Sequence, residues 1–300
     1  MSCIFARLLV LPLRGLARLP WPWLLAIGAA LGWLLGRLLP ARRRIARRNI
    51  ELCFPELDAR DRKRLLAANL RATGIGVMEA LGAWFRPTLV PVGQVEATGL
   101  EWITDSDRPV LILGAHFTLI EFGARALIEA LGRPLDLLVR RYNRPCLERV
   151  IDDARRRYVH DTLAKDDVRA LLRALRSGPG VLYAPDQHFS RGAAHLPFFG
   201  VPASTLLAIP RLARTSGARI LLYAGRRLPD GRYRLEIEPV PADWPLYDAE
   251  GFTRRWLEWL ELKVRRAPEQ YLWMHRRFRS PAPGAPPLYE TRDLRAKHRD

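Results

Sequence analysis

The sequence lacks several motifs that would tie the chain to well-defined classes of protein. Its three cysteines are odd in number, widely spaced and free of any Cys-x-x-Cys pattern, which argues against a disulfide framework or a zinc site. It has no glycine-rich phosphate loop, dinucleotide fingerprint or Gly-x-Ser-x-Gly motif, so nucleotide-dependent and serine-hydrolase chemistry lose support. His160, His188 and His195 lack the paired spacing of metal ligands, and no bound metal is expected.

Acidic residues are scarce relative to basic ones. The chain of 300 residues has 31 Asp and Glu against 49 Lys and Arg, which gives a net charge of +18. This balance predicts an anionic partner, and composition alone leaves nucleic acid, acidic lipids, phosphorylated substrates and an acidic carrier protein open. With 49% hydrophobic residues, 9 Trp and 10 Phe, the chain has ample material for a folded core.

One long stretch near the N-terminus carries no charge. Eighteen residues, LPWPWLLAIGAALGWLLG, lie between Arg18 and Arg37, and a helix of this length crosses most of a hydrocarbon core. Arginines at 42–44, 47 and 48 follow it, which by the positive-inside rule places the next residues in the cytoplasm and opposes a cleaved signal peptide. Two alternatives remain, a helix that spans the membrane and one that lies in its interface, since the preceding segment is also basic.

The rest of the sequence alternates between helical and strand patterns. Compact apolar runs predict buried strands in PVLILGAH, LDLLV, GVLYAP, ARILLYAG and RYRLEIE. Helical patterns run from about Leu57 to Phe85, Glu121 to Leu131, Leu147 to Tyr158, Asp166 to Arg176, Leu206 to Ser216 and over 251–270. The alternation predicts an α/β fold with a mixed, mostly parallel sheet flanked by helices, preceded by an N-terminal hydrophobic membrane-anchor helix.

Three segments follow from these patterns. Residues 1–40 are expected to form the membrane anchor, and residues 41–280 a single α/β domain that carries the activity. Residues 281–300 are rich in proline and charge, so they are expected to be a flexible tail that cannot bury a core.

The sequence PVLILGAHFTLIEFGAR carries the strongest candidate for chemistry. His116 follows a hydrophobic strand, and Glu121 comes five residues later at the start of a helical pattern. The two side chains can meet only if His116 lies in the turn before the helix, where the carboxyl end of a strand would place it. A neutral imidazole can then take a proton from an alcohol while a carboxylate on its other nitrogen orients the ring. Spacing alone also permits a structural pair.

Further stretches match one family in the same order along the chain. They are ARRRIARRNIELCFPEL at 41–57, GAHFTLIEFGAR at 114–125, RYNRP at 141–145, YAPDQ at 183–187, LPFFGVPAST at 196–205 and QYLWMHRRFR at 270–279. The sequence resembles the late acyltransferases of lipid A biosynthesis, the lauroyl and myristoyl transferases of the broader His-x4-Asp/Glu glycerolipid acyltransferase group. The resemblance covers nearly all of residues 4–280.

The resemblance implies transfer of an acyl chain, with laurate expected, from acyl carrier protein to a hydroxyl of a lipid A precursor that carries the sugar Kdo. It implies His116 and Glu121 as the catalytic dyad, no cofactor and no metal, and an inner-membrane protein whose catalytic domain lies on the cytoplasmic side. Both implied partners are acidic, so the basic excess needs no nucleic acid. His188 departs from the small or acidic residue expected after YAPDQ.

Four other residues are candidates for substrate binding. Arg141 and Arg125 are candidate donors to the carbonyl oxygen that becomes negative during acyl transfer, although each could equally be solvated or bind phosphate. Asp186 and Gln187 are candidates to bind substrate hydroxyls, or else to cap the following loop. The basic run at 275–279 is expected to face the membrane surface.

Two alternative functions remain open. The acceptor of the acyl chain is another membrane lipid in the first, such as a lysophospholipid, an aminolipid or a glycolipid. In the second, the chain is a non-catalytic membrane protein whose arginines bind anionic lipid or nucleic acid.

Overall fold

The computed structural model describes residues 3–89, 93–140, 145–290 and 293, without the side chains of residues 3–9 and 147. The longer helices are α1 (Cys3–Ala17), α2 (Trp21–Leu38), α3 (Pro40–Cys53), α4 (Ala59–Phe85), α6 (Ile120–Leu131), α7 (Pro145–Arg155), α8 (Val168–Ser177), α9 (Ile209–Ser216) and α10 (Ala249–Arg266). Short helices are α5 (Glu101–Thr104) and a 3-10 turn at Pro268–Gln270. The strands are β1 (Val95–Thr98), β2 (Val110–Leu113), β3 (Asp136–Val139), β4 (Thr162–Ala164), β5 (Val181–Tyr183), β6 (Ala193–Phe198), β7 (Val201–Leu206), β8 (Arg219–Arg227) and β9 (Tyr233–Pro239).

Seven strands form one sheet in the order β1-β9-β8-β2-β5-β3-β4. All neighbouring pairs in it are parallel except the antiparallel pair β8 and β9. The strand β2 is buried at every residue, as expected for a continuous apolar run covered by helices on both faces. The predicted α/β class with a mostly parallel sheet is therefore confirmed.

A separate two-stranded hairpin, β6 and β7, was not predicted. Its turn residues Phe199 and Gly200 have φ values of 52° and 73°, and the hairpin turns that match strand twist need such positive values. Phe198 and Phe199 are buried, in keeping with a buried aromatic turn at this position. The alternation of small and polar residues in this segment is too weak to indicate strands.

The N-terminal helices belong to the same hydrophobic core as the α/β domain. Ala17, Trp21 and Leu24 are buried in that core, so the predicted boundary at residue 40 does not separate two packing units. The helix α2 runs antiparallel along α4, because Trp21 contacts Gly82 and a Cβ on Gly28 would lie 2.7 Å from the Cα of Ile75. Glycines let the two backbones approach closely.

Among the described residues, one helix is long and apolar enough to cross a membrane, and it is Trp21–Leu38. Its face opposite α4 exposes large apolar side chains, among them Trp23 at 67% and Trp33 at 61%. Length, apolar composition and an exposed apolar face are compatible with an anchor.

The segment after residue 280 is partly packed, which corrects the prediction of a tail without core contacts. Tyr289 is buried, accepts a hydrogen bond from the Phe278 N–H and donates one to Asn49 Oδ1 at 2.6 Å. Asp293 pairs with Arg44 in α3 at 2.6 Å. These two contacts hold the segment against α3, which supplies Asn49 and Arg44 as polar partners. Residues 291–292 and 294–300 lie outside the described residues.

Two of the cysteines differ in their bonding state. Cys53 is free and buried, as expected of a small hydrophobe. Cys146 in α7 is disulfide-bonded, which corrects the expectation of an unbridged cysteine. Sequence spacing could not indicate this, because pairing depends on which cysteines the fold brings within bonding distance.

Candidate active site

His116 lies at the carboxyl end of a central strand. β2 ends at Leu113, and the Gly114 N–H continues its pairing with β5 by donating to the Tyr183 carbonyl at 2.8 Å. α6 begins at Ile120, so His116 occupies the turn between strand and helix, as predicted. The side chain of His116 is 25% exposed, which leaves the ring accessible from one side.

The carboxylate that contacts His116 is Asp186, from the end of β5. Asp186 Oδ1 lies 2.6 Å from His116 Nδ1, and Asp186 Oδ2 accepts the His116 backbone N–H at 3.0 Å. Tyr271 also donates its hydroxyl to Oδ2, at 2.9 Å. These contacts fix the ring with Nδ1 toward Asp186 and leave Nε2 free of hydrogen bonds within the described part of the chain.

Electrostatics keep Asp186 ionised. Burial alone would raise its pKa, but the His116 imidazole, its backbone N–H and the Tyr271 hydroxyl together lower the pKa to about 2. Burial, and next the neighbouring Asp186, raise the pKa of Tyr271, which therefore stays a neutral donor. A buried anion beside the ring is the arrangement that stabilises an imidazolium in a general-base mechanism.

Glu121 does not orient the histidine. Its Oε2 accepts the Trp84 indole N–H at 2.9 Å and the Arg155 Nε–H at 3.1 Å, and its Oε1 pairs with the second arm of Arg155. No hydrogen bond between Glu121 and His116 occurs within the described residues. The expectation that Glu121 holds the imidazole is therefore corrected, because α6 turns its first carboxylate toward α4 and α7. Its part in catalysis stays a prediction.

A strap of chain from 268 to 278 closes over the His116 loop. The Thr118 N–H donates to the Gln270 carbonyl at 2.7 Å, and the Leu272 N–H donates to the His116 carbonyl at 2.9 Å. This pairing places Tyr271 against Asp186. The strap thus sets the geometry of the His116 and Asp186 pair.

Two buried asparagines hold the strap from the helical side. Asn69 in α4 donates to the carbonyls of Glu269 and Tyr271, both at 2.8 Å. Asn49 in α3 donates to the carbonyls of Trp273 and His275 at 2.7 and 2.8 Å. The long N-terminal helices therefore support the site through side-chain amides.

Replacing Asn69 by alanine is expected to lower the free energy of unfolding by about 1–3 kcal/mol, because two carbonyls lose their donor where water has poor access. Lys63→Ala on the exposed side of α4 is the matched control and is expected to change it by less than about 0.5 kcal/mol. Urea denaturation in detergent measures both. Equal stability of Asn69→Ala and wild type would show that the amide does not secure the strap.

The basic run at 275–279 does not form a membrane-facing surface, which corrects that expectation. Arg276 and Arg277 are buried, and Arg277 donates to the Ser204 carbonyl at 2.8 Å. His275 is half-buried, and its Nε2 accepts the His188 N–H at 3.2 Å. A charge run in sequence gave no sign of these partners, because Ser204 belongs to the unpredicted hairpin and His188 to the loop before it.

Two histidines next to the site favour their neutral form. Burial, then His116 and Arg277, lower the pKa of His275 to about 3, and burial, Arg277 and Arg279 lower that of His188 to about 4. Both values lie below about 6.5, the value for an unfolded chain. Each group contributes stability that is present above the unfolded pKa and is lost as pH falls.

Acidification from pH 6.5 to 4 is therefore expected to lower the free energy of unfolding of wild type. In this range His188 and His275 bind protons in the unfolded chain but stay mostly neutral in the folded chain. The variant His275→Asn, which keeps an acceptor for the His188 N–H, is expected to lose less over the same range. Urea denaturation at both pH values tests this. Lys63→Ala, which removes no group that titrates in this range, should leave the slope unchanged, and an equal slope for His275→Asn would contradict the assignment.

The remaining predicted site residues fall in different places. Arg125 is buried and donates to the carbonyls of Ala83, Arg86 and Pro87, each at 2.8 Å, so it ties α6 to the end of α4. Its role toward the substrate stays a prediction. Gln187 is half-buried next to Asp186. Arg141 lies outside the described residues, so its role stays a prediction.

The sequence offered one signal for the Asp186 contact. Strands β2 and β5 are parallel neighbours, so polar residues just beyond their carboxyl ends meet at one edge of the sheet. Asp186 follows β5 as His116 follows β2. Tyr271, Trp84 and Arg155 had no comparable signal, because they approach from a loop and from two helices distant in sequence.

The geometry can perform general-base catalysis on an alcohol. Nε2 of His116 is available for a proton, and an ionised carboxylate on Nδ1 fixes the tautomer that accepts it. The described residues contain no group of three or more His, Cys, Asp or Glu side chains able to hold a metal ion.

Comparison with known proteins identifies the family. The model of the bacterial lipid A biosynthesis acyltransferases matches residues 3–280. The chain is 35% identical to the lipid A biosynthesis lauroyltransferase of Escherichia coli K12, over 91% of this chain and 90% of that protein. It is 34% identical to the palmitoleoyltransferase of the same strain, with the same coverage, and 28% identical to the myristoyltransferase, over 95% and 90%. Because the family model covers nearly the whole chain and these relatives match it from end to end, the chain belongs to the bacterial lipid A biosynthesis acyltransferases.

Proposed function

We propose that the protein transfers a fatty acyl chain, laurate by preference, from acyl carrier protein to a hydroxyl of a Kdo-bearing lipid A precursor. The observation that carries the proposal is the His116 and Asp186 pair at the carboxyl end of β2, with Nε2 open to one side. Family membership supplies the class of acceptor. Relatives differ in the chain they are named for, so laurate rests on the likeness to the lauroyltransferase.

The chemistry is direct attack. A hydroxyl of the acceptor gives its proton to His116 Nε2 as its oxygen forms a bond to the thioester carbonyl carbon. Asp186 stabilises the imidazolium and keeps Nε2 aligned. When the tetrahedral intermediate collapses, the carbon–sulfur bond breaks, and His116 returns the proton to the departing thiolate.

Both substrates are expected to be bound together. A covalent acyl-enzyme is not required, since the closest hydroxyl in sequence, on Thr118, has no hydrogen-bond partner that would activate it among the described residues. The reaction as written needs no cofactor or metal. Recovery of a stoichiometric acyl-enzyme from denatured protein would contradict the direct mechanism.

An acceptor panel tests the substrate assignment. Labelled lauroyl, myristoyl and palmitoleoyl carrier proteins are offered with a tetra-acylated Kdo lipid A precursor, a lysophospholipid and a neutral glycolipid. The proposal expects transfer to the Kdo precursor, fastest with laurate. Transfer to the lysophospholipid alone would show that the assigned acceptor is wrong. Faster transfer of another acyl chain to the Kdo precursor would show that only the assignment of laurate is wrong.

We infer further that the protein lies on the cytoplasmic side of the inner membrane, with α2 in the membrane interface. Among the described residues, eight of the fourteen exposed large apolar side chains lie between residues 11 and 39, in or next to α1 and α2. α2 lies along α4, and Gly32 touches the backbone of Arg71, whose side chain is exposed. A spanning α2 would carry this charged stretch of α4 into hydrocarbon, which supports the in-plane arrangement.

Cysteine labelling distinguishes the two arrangements. Gly15→Cys and Arg43→Cys place thiols on exposed positions before and after α2. A membrane-impermeant maleimide should label both from inverted vesicles and neither from spheroplasts if α2 lies in the interface. Labelling of the two positions from opposite sides would show that α2 spans the bilayer.

A further inference from the structure

A cavity of about 340 Å³ lies beside the active site and is lined by arginines. Arg14 and Arg18 come from the end of α1, Arg86 follows α4, Arg125 lies in α6 and Arg157 follows α7. No aspartate or glutamate lines it. Five guanidinium groups around one concave space create a strongly positive potential.

The five arginines divide into two kinds. Arg86 and Arg125 are fixed by backbone carbonyls, with Arg86 donating to the Ala17 and Leu19 carbonyls at 2.7 and 2.8 Å. Glu129 pairs with Arg125 at 2.7 Å. Arg14, Arg18 and Arg157 are exposed and have no ion-pair partner within the described residues. The first pair builds the wall, and the other three have N–H groups free for a ligand.

The cavity shares a wall with the catalytic segment. Trp84 lines it and donates its indole N–H to Glu121, which begins the helix after His116. Glu121 is held in turn by Arg155, two residues before Arg157. An anion in the cavity is therefore separated from the start of α6 by one aromatic side chain.

The cavity also lies near exposed apolar side chains of α1. Leu11 and Leu13 of α1 are 60% and 40% exposed and lie in the same helix as Arg14. A ligand that fits this place has an oxyanion head and an apolar part that enters the membrane. A concave space of this size takes a single phosphorylated headgroup and not the convex surface of an acidic protein.

We propose that the arginine cavity binds a phosphate monoester on the headgroup of the lipid acceptor and so sets which hydroxyl reaches His116. This rests on the proposed function. Arg14, Arg18 and Arg157 donate charge-assisted hydrogen bonds to the phosphate oxygens, while Arg86 and Arg125 supply positive potential from behind.

The test compares two double variants that each remove two positive charges. Arg14→Gln with Arg157→Gln acts on the cavity, whereas Arg211→Gln with Arg254→Gln changes exposed arginines of α9 and α10. Each protein is assayed with a phosphorylated acceptor and its dephosphorylated form in phosphatidylcholine vesicles. Wild type and the control are expected to prefer the phosphorylated acceptor at least about tenfold in kcat/KM, mostly through KM, and the cavity variant less than about threefold.

Two further arms separate the outcomes. Phosphatidylglycerol, whose headgroup phosphate is a diester, should compete only weakly when it is added to the vesicles, and strong competition would mean that the cavity binds any anionic lipid phosphate and would overturn the acceptor assignment. Vesicle binding by His116→Ala protein, with and without the cavity substitutions, needs no turnover. Suppose that binding prefers the phosphorylated lipid only when the cavity is intact, but that wild type transfers no acyl chain to it. The proposed function is then wrong, while the proposed phosphate site is supported. Unchanged preference in the cavity variant overturns the site.

Discussion

Replacement of His116 by alanine is expected to lower kcat for acyl transfer at least about a hundredfold, because a general base commonly contributes between about a hundredfold and ten-thousandfold. The His116 ring is the group at the end of β2 that has one nitrogen on an ionised carboxylate and the other open. Its loss leaves the acceptor hydroxyl without a group to take its proton. Initial rates with labelled acyl carrier protein in matched membranes measure the effect.

His195 provides the control for this substitution. It is exposed, and its Nε2 lies 3.2 Å from the Ser280 carbonyl, so His195→Ala should keep the rate within about threefold of wild type. Acceptor binding by His116→Ala should also be largely retained. Equal rates for wild type and His116→Ala would remove His116 from the mechanism and favour a non-catalytic role for the chain.

Replacement of Asp186 by asparagine is expected to cost between about a hundredfold and ten-thousandfold in kcat, as loss of the orienting carboxylate does in a Ser-His-Asp triad. The asparagine amide would donate to His116 Nδ1 and move the ring proton to Nε2, which could then no longer accept one. Its carbonyl oxygen can still accept from Tyr271 and the His116 N–H, so the fold should survive.

Asp243→Asn, an exposed aspartate far from the sheet edge, is the matched control and should leave kcat unchanged within about threefold. The rate of the Asp186→Asn variant should stay low across the pH range in which wild type is active. The amide holds the His116 ring in the wrong tautomer at every pH in this range, because the amide itself does not titrate. A rate within threefold of wild type would show that Asp186 does not serve the histidine.

The fold could be predicted from sequence where local patterns were strong. The apolar runs of β2, β5 and β8 and the helical spacing of α4 each determine an element whatever its neighbours are. The short strands β1 and β4 and the β6–β7 hairpin were missed, because so few residues, or a mixed small and polar pattern, give no periodicity. Tyr289 and the packing of α2 on α4 depend on contacts distant in sequence, which periodicity does not report.

The site could be predicted as far as its strand and its histidine. The place of His116 directly after β2 marks it as a site residue. Which carboxylate contacts its ring depends on the directions in which the side chains of Glu121 and Asp186 point. Glu121 is near in sequence and turns to Arg155, while Asp186 is 70 residues away and meets the ring. Nearness in sequence was therefore a poor guide to the partner, and strand adjacency was the better one.

The most direct test of the account is a set of single-turnover acyl-transfer rates for Asp186→Asn and Glu121→Gln, each made in wild type and in His116→Ala. If Asp186 acts through His116, Asp186→Asn slows wild type strongly and slows His116→Ala no further, while Glu121→Gln has the same proportional effect in both backgrounds. The account is contradicted if Glu121→Gln is the substitution whose effect disappears without His116 and Asp186→Asn acts equally in both.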